Sequence, residues 1–159
     1  MSCWRARSRE AAAAMAVTVE IEVGLPEDVG EALAEVVRTT AAKTADLHGA
    51  GDPEIVVVVA DAGRLHELNR RFRDVDRPTD VLAFPNDDGG GDVAIALDIA
   101  TEHAREAGWS REREVAYLTA HAVLHLLGHH HDDDAAYRKM RGAEEEVLEM
   151  LGYRRTEEF

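Results

Sequence analysis

HAVLHLLGHHH, residues 121–131, is the stretch from which the predicted fold follows, because it completes a run from Val115 to Leu127 without Asp, Glu, Lys or Arg. A helix that is apolar on every face lies buried inside its domain. His121 and His125 are four residues apart, so on a helix they lie about 40° apart around the axis and about 6 Å apart along it. Both rings therefore share one face of a buried helix, where one metal ion can bind both.

A third histidine follows at an interval that lets it reach the same ion. Gly128 stands where a left-handed residue commonly ends a helix, and the chain can then turn back. The spacing HxxxHxxGxxH is that of metzincin zinc ligands, and it brings His131 towards the first two rings. Three nitrogen ligands and one open position are the usual catalytic zinc arrangement. His129 and His130 adjoin His131, and the sequence leaves open which of the three rings binds.

The residue after His121 argues against one class of zinc enzyme. Peptidases of the HExxH type carry Glu at this position as the general base for the attacking water. Here the position is Ala122. A standard metallopeptidase mechanism would therefore lack its proton acceptor.

The composition predicts one soluble globular domain. The chain has 159 residues, of which 45% are hydrophobic and 31% charged, and this length buries a sizeable core. Its one cysteine, Cys3, excludes an internal disulfide and favours a reducing, cytoplasmic compartment. No apolar run approaches the roughly 20 residues that span a bilayer, so we expect no membrane contact.

The charge balance is strongly acidic. A net charge of −14 argues against a general nucleic-acid coat protein, which would need clustered Lys and Arg, although a local basic cleft is compatible with it. Acidic runs such as Asp132 to Asp134 and Glu144 to Glu146 are interpreted as solvated faces.

Hydrophobic patterns predict about four strands and five helices in one domain, residues 16–159, after a disordered lead, residues 1–15. Because strands and helices alternate along the chain, we expect an α+β fold in which helices pack on a mixed, roughly four-stranded sheet and the His-bearing helix is central. The strands are predicted at 17–23, 55–59, 80–84 and 92–97. The helices are predicted from Pro26 and Glu27 to before Gly49, from a cap at Asp61 through the buried stripe Leu65, Leu68 and Phe72, from Asp98 or Thr101 to Gly108, from a cap at Ser110, and from a cap at Asp134 to Gly152.

The segment LNRRFRDVDRPTDVLAFP, residues 68–85, is the second stretch that carries chemistry. It and the helical turn before it contain five arginines in an otherwise acidic chain. Arginine suits phosphate because its planar fork donates two parallel hydrogen bonds. Exposed arginines at helix ends are usually only solvated. Arg73 is the exception that we single out, because it follows Phe72, which we expect to be buried, where the helix runs into a turn.

Together the two stretches resemble the motifs of the YbeY family of bacterial and organellar rRNA maturation factors. The family pattern H-G-x-L-H-L-x-G-Y-D-H corresponds to HAVLHLLGHHH here, and L-N-x-x-[YF]-R…P-T-D-V-L-S-F-P corresponds to LNRRFRDVDRPTDVLAFP. The segment Gly91-Asp92-Val93-Ala94-Ile95 is similar to the family's G-D strand. The likeness covers most of residues 16–153.

This resemblance implies a zinc-dependent endoribonuclease that prefers single-stranded RNA. It implies a role in 3′ end maturation of small-subunit ribosomal RNA and in ribosome quality control, with proteins of the small ribosomal subunit as further partners. By position in the motifs, His121, His125 and His131 would be the ligands of one Zn²⁺ ion. Arg73 would be the essential arginine of the RNA-binding cleft.

The sequence also departs from the family pattern. Ala122 replaces Gly, and His129 and His130 replace Tyr and Asp. The carboxylate that the family pattern places near the ligands is therefore absent from its usual position, and Asp132 and Asp133 are the candidates to replace it.

Two other functions stay open. A metal-dependent amidase or peptidase is favoured by the metzincin-like spacing. A non-catalytic ribosome-assembly factor with a structural zinc is favoured by the net charge, since an acidic surface suits basic protein partners.

Overall fold

The structure, a computed structural model, describes residues 17–22, 30–49, 53–87 and 89–153. The predicted lead, residues 1–15, and the predicted helix start at Pro26 and Glu27 lie outside these ranges. The described part contains four strands and five helices, the numbers that the sequence predicts. In chain order they are β1 (Val17–Ile21), α1 (Gly30–His48), β2 (Ile55–Ala60), α2 (Ala62–Arg73), β3 (Val81–Pro85), β4 (Gly91–Ala96), α3 (Leu97–Ala107), α4 (Arg111–Leu126) and α5 (Asp134–Met150).

The strands form one mixed sheet in the order β1-β2-β4-β3. Strands β1, β2 and β4 are parallel, and β3 joins the edge antiparallel to β4, so the predicted α+β architecture with a mixed sheet is confirmed. Every residue of β2 is buried, because β2 lies inside the sheet and both of its faces are covered. This agrees with its continuous β-branched sequence.

Alternate side chains of the inner strands supply two hydrophobic cores. Val57 and Val93 belong to the larger core, which α1 and α4 cover. Val56 and Ala94 belong to the smaller core, which α2 covers. Helix α4 packs against α1, α3, α5 and the sheet, so it is the central buried helix that the sequence predicts.

The ends of three helices test the predicted caps. The Asp61 side chain accepts a hydrogen bond from Arg64 N at 2.9 Å and caps α2 as expected. Helix α3 begins at Leu97, so the predicted start at Asp98 or Thr101 is wrong by at least one residue. Asp133, and not the predicted Asp134, caps α5.

One predicted core residue is wrong. Phe72 is 38% exposed, although it lies on the apolar stripe of α2. It stands in the last turn of the helix, where its ring meets Phe84 edge-on at a centroid distance of 6.0 Å and the Arg71 guanidinium carbon lies 5.2 Å from its centroid. Its place at the end of the helix therefore leaves it partly open to solvent, although the stripe itself is regular.

None of the helices in the described ranges combines the length and the apolar composition that a bilayer crossing requires.

Candidate metal centre

Helix α4 holds two of the three predicted histidines in fixed relation to each other. It begins after Ser110, whose Oγ accepts a hydrogen bond from Arg113 N at 3.0 Å, as predicted. One turn apart on the same face, His121 and His125 are half-buried and their ring centroids are 4.8 Å apart. Because α4 packs against three helices and the sheet, neither ring depends on a loop for its position.

The turn after α4 brings in the third ring. Gly128 has φ +101°, a left-handed conformation that other residues rarely adopt. A Cβ at this position would meet nothing within 4 Å, so the backbone angle, and not crowding, is what favours glycine. After this turn the ring of His131 lies 5.1 Å from that of His125 and 5.9 Å from that of His121.

These three side chains form a group that could hold a metal ion. One ring nitrogen from each of His121, His125 and His131 can be chosen so that all three lie within 4.8 Å of one another. A tetrahedral zinc ion with bonds of about 2.0–2.1 Å to nitrogen holds its ligand atoms about 3.4 Å apart, so small ring rotations are enough to close the group. Imidazole nitrogens are suitable ligands for such an ion.

The other two adjacent histidines lie elsewhere. The ring of His129 packs edge-on against His48 at 5.7 Å. His130 Nδ1 is 3.5 Å from the Asp132 carboxylate on the surface. Of the three candidates that the sequence leaves open, the structure brings only His131 to His121 and His125.

A buried carboxylate contacts one of the three rings. Glu144 Oε2 lies 2.6 Å from His121 Nδ1, and the Glu144 side chain is 3% exposed. The interpretation of Glu144 to Glu146 as a solvated face is therefore wrong for Glu144. Its position four residues after Met140 and three before Val147 puts it on the inward stripe of α5, and this was the signal in the sequence.

The carboxylates expected from the family pattern have other roles. Asp133 caps α5 by accepting a hydrogen bond from Ala136 N at 2.8 Å. The Asp132 side chain is 83% exposed. The carboxylate nearest the histidine group thus comes from the helix packed against α4.

The surroundings of His125 favour its neutral form. Burial lowers the pKa of His125, and the neighbouring His121 and His131 lower it further. A metal-binding imidazole must be unprotonated. Because its pKa is lowered, His125 is available to a metal at a lower pH than the one at which an exposed histidine becomes available.

Arg73 and two of the histidines line one cleft. Its volume is about 240 Å³, and its walls come from the end of α2, from β3 and from α4. An Nη2 hydrogen of Arg73 is donated to Ala83 O, and the guanidinium carbon lies 5.3 Å from the centroid of the Phe84 ring. Arg73 is therefore held by β3, and not by a buried Phe72 as its sequence neighbourhood had indicated.

Ala122 lies in the same cleft, between His121 and His125 in sequence. Its methyl group occupies the position at which a zinc peptidase carries the catalytic glutamate. The cleft thus offers ring nitrogens and a guanidinium, and its lining contains no carboxylate.

Comparisons with known proteins give a consistent picture. The family model described as "Endoribonuclease YbeY" matches residues 18–152. A relative of that name from Carboxydothermus hydrogenoformans is 44% identical over 134 residues, and the match covers 80% of this chain and 92% of the relative. Another of the same name from Pelotomaculum thermopropionicum is 40% identical over 139 residues, covering 80% of this chain and 91% of its own.

A solved structure is also similar. The solution structure of a protein from Thermotoga maritima superimposes with a TM-score of 0.55 at 27% sequence identity. The match covers 90% of this chain and 95% of that one.

Proposed function

Since this chain belongs to the endoribonuclease YbeY family, it is a hydrolase of internal RNA linkages, and we propose that it is a zinc-dependent enzyme acting on single-stranded regions of ribosomal RNA. The observation that carries the proposal is the convergence of three imidazoles, two of which line a cleft that Arg73 also lines. A metal ion and a guanidinium can each bind the oxygens of a phosphodiester, and the residues for both meet at this cleft.

We assign His121, His125 and His131 as the ligands of one zinc ion. Such an ion, when bound, supplies a Lewis acid and one open position for an oxygen ligand. The three residues that would hold it come from helix α4 and the turn after it, so the chain itself fixes where the ion would bind. Glu144 orients the His121 ring through Nδ1 and so leaves Nε2 for the metal.

Arg73 binds the phosphate of the scissile linkage in this proposal. A guanidinium has five N–H donors, and the bond to Ala83 O uses one of them. Its fixed position allows it to stabilise negative charge that develops on the phosphoryl oxygens without reorganising during the reaction. The Phe84 ring, against which it packs, restricts the guanidinium further.

The nucleophile can be identified from the products. Attack by water leaves a phosphate monoester at the cleavage site, whereas attack by the neighbouring ribose 2′-OH leaves a 2′,3′-cyclic phosphate. End-group analysis of the cleaved RNA distinguishes these two routes.

The ribosomal substrate follows from the resemblance of the two motifs to the family of rRNA maturation factors. We infer that the enzyme acts on the 3′ end of small-subunit ribosomal RNA and in ribosome quality control, with proteins of the small subunit as partners. A ribosomal substrate corresponds to a cytoplasmic location.

Neither alternative function has comparable support. A peptidase of the HExxH type needs a glutamate where Ala122 lies. A structural zinc site is closed by four protein ligands, whereas the group within the described residues has three members.

The test is cleavage of a single-stranded RNA containing the small-subunit 3′ end sequence. Purified zinc-loaded protein should cut it, the His125→Ala variant should not, and the His130→Ala variant should retain activity. His130→Ala is the matched control because His130 is an adjacent exposed imidazole outside the group. A His125→Ala variant that is as active as the wild type would refute the proposal.

A further inference from the structure

A second cavity lies one helical turn from His121 along α4. It has a volume of about 630 Å³ and is lined by α3, α4, α5 and the turn between α3 and α4. This volume falls within the range of about 300–1,000 Å³ that is typical of small-molecule sites. The cleft that contains Arg73 and this cavity share no lining residue.

Tyr117 joins the cavity to the metal centre. It lines the cavity and lies one helical turn before His121 on α4. The two ring centroids are 5.8 Å apart and the ring planes are tilted by 32°, so Tyr117 lies directly beside one of the three histidines. A strand of RNA with a phosphate at the histidine group would therefore have its next nucleotide within reach of Tyr117.

The Tyr117 phenol is neutral under ordinary conditions. Burial, helped by the charge of Glu144, raises the pKa of Tyr117 to about 12. The ring therefore presents an uncharged aromatic face and a hydroxyl group to the cavity.

The outer wall of the cavity is held rigid. Trp109 Nε1 donates a hydrogen bond to Glu114 Oε1 at 3.0 Å, and Glu114 is 5% exposed. The guanidinium carbon of Arg113 lies 3.8 Å from the centroid of the Trp109 ring. A wall whose side chains are already held by such contacts loses little conformational freedom when a ligand enters.

The charges of the cavity favour a neutral ligand over a phosphate. Its lining includes three carboxylates, two guanidinium groups and one imidazole. Carboxylates repel phosphate oxygens, but they accept hydrogen bonds from the amino groups of a nucleobase. Single-stranded RNA is recognised in this way, by bases that stack on aromatic rings and use their polar edges.

We propose that this cavity binds the base of the nucleotide next to the scissile phosphate, with that base stacked on Tyr117. The inference rests on the proposed endoribonuclease function and adds a subsite to it. Base stacking on an aromatic side chain is sequence-tolerant, because every base has a π-face. The subsite therefore selects unpaired RNA, since a base inside a duplex cannot enter it.

The experiment uses a set of single-stranded RNAs in which one nucleotide at a time, on either side of the cleavage site, is replaced by an abasic ribose. With the wild-type enzyme, an abasic replacement at one position adjacent to the cut should raise KM by about 5- to 150-fold, the change that corresponds to losing one stacked base. In Tyr117→Ala, the intact RNA should show the higher KM, and the abasic replacement at that position should have no further effect.

Two variants separate stacking from folding. Tyr117→Phe keeps the ring, so it should retain the abasic penalty of the wild type. Tyr137→Ala removes a tyrosine that is 52% exposed on α5, outside the cavity, and should behave as the wild type. Failure of Tyr117→Phe to restore the penalty would contradict stacking.

The outcome also separates this subsite from the function on which it rests. If the wild-type enzyme does not cleave the intact RNA, the endoribonuclease proposal fails. If cleavage is normal but the abasic penalty is the same in the wild type and in Tyr117→Ala at every position, only the subsite is overturned.

Discussion

Replacing Glu144 with alanine is expected to weaken zinc binding without unfolding the chain. The Glu144 carboxylate lies 2.6 Å from His121 Nδ1 and is 3% exposed, so water does not screen the interaction. Because a carboxylate accepts, the ring donates through Nδ1, which fixes its orientation and makes Nε2 a stronger ligand.

The size of the effect follows from this contact. Loss of such a hydrogen-bond partner typically lowers metal affinity by about 10- to 100-fold, which corresponds to about 1.4–2.7 kcal/mol. A hydrogen bond to a charged group contributes about 1.5–3 kcal/mol by a separate line of evidence, so the two values agree. Glu144→Gln keeps an acceptor oxygen but loses the charge, and its affinity should fall between those of Glu144→Ala and the wild type.

The assay is a zinc titration in competition with a chromophoric chelator, with denaturant unfolding of the metal-free proteins measured in parallel. Glu149→Gln is the matched control, because Glu149 is exposed on the same helix. Equal zinc affinities of Glu144→Ala and the wild type would refute the reasoning. An equal loss in Glu149→Gln would show that only net charge matters.

Three further predictions concern other residues. Arg73→Ala should lower kcat on single-stranded RNA by about 100- to 1,000-fold, the cost of removing one fixed donor to a developing oxyanion. Arg73→Lys should recover only part of this loss. An unchanged kcat of Arg73→Ala in steady-state kinetics would contradict the role of Arg73. His131→Ala should weaken zinc binding by more than about 100-fold, which is the upper limit for losing a residue that only hydrogen-bonds to a ligand. His130→Ala should bind zinc as the wild type does, and the same chelator titration measures both. Because the pKa of Tyr117 is raised to about 12 in the folded chain, above an unfolded value of about 10, its contribution to stability is complete below pH 10 and lost as pH rises through 12. Tyr117→Phe should remove this alkaline loss and the matching step in tyrosinate absorbance, and a wild-type absorbance curve without a step near 12 would contradict the assignment.

The local part of the site was predictable because its geometry depends on the spacing of residues that are close in sequence. His121 and His125 share a helix face through their spacing of four, and Gly128 reverses the chain within three residues. The burial of α4 from Val115 onward followed from the lack of charged residues in that part of the helix. These features need no knowledge of how distant elements pack.

The order of the strands was not predictable in the same way. A mixed sheet followed from the alternation of patterns, but the placement of β4 between β2 and β3 depends on long-range pairing. Periodicity identifies an element and its buried face without identifying its neighbours.

Glu144 illustrates the limit for the site itself. Its contact with His121 joins residues 23 positions apart and exists only because α5 packs across α4. The surrounding glutamates disguised an inward position as part of a solvated run. Phe72 shows the opposite error, since its apolar stripe is regular but its place in the last turn of α2 leaves it 38% exposed.

Zinc dependence of RNA cleavage at a stoichiometry of one ion per chain is the most direct test of the central claim that His121, His125 and His131 hold a single catalytic ion. Protein stripped of metal is titrated with zinc while bound metal is counted by native mass spectrometry and cleavage of single-stranded RNA is followed. The account predicts no cleavage without metal and full activity at one bound ion. Full cleavage by the metal-free protein would contradict it.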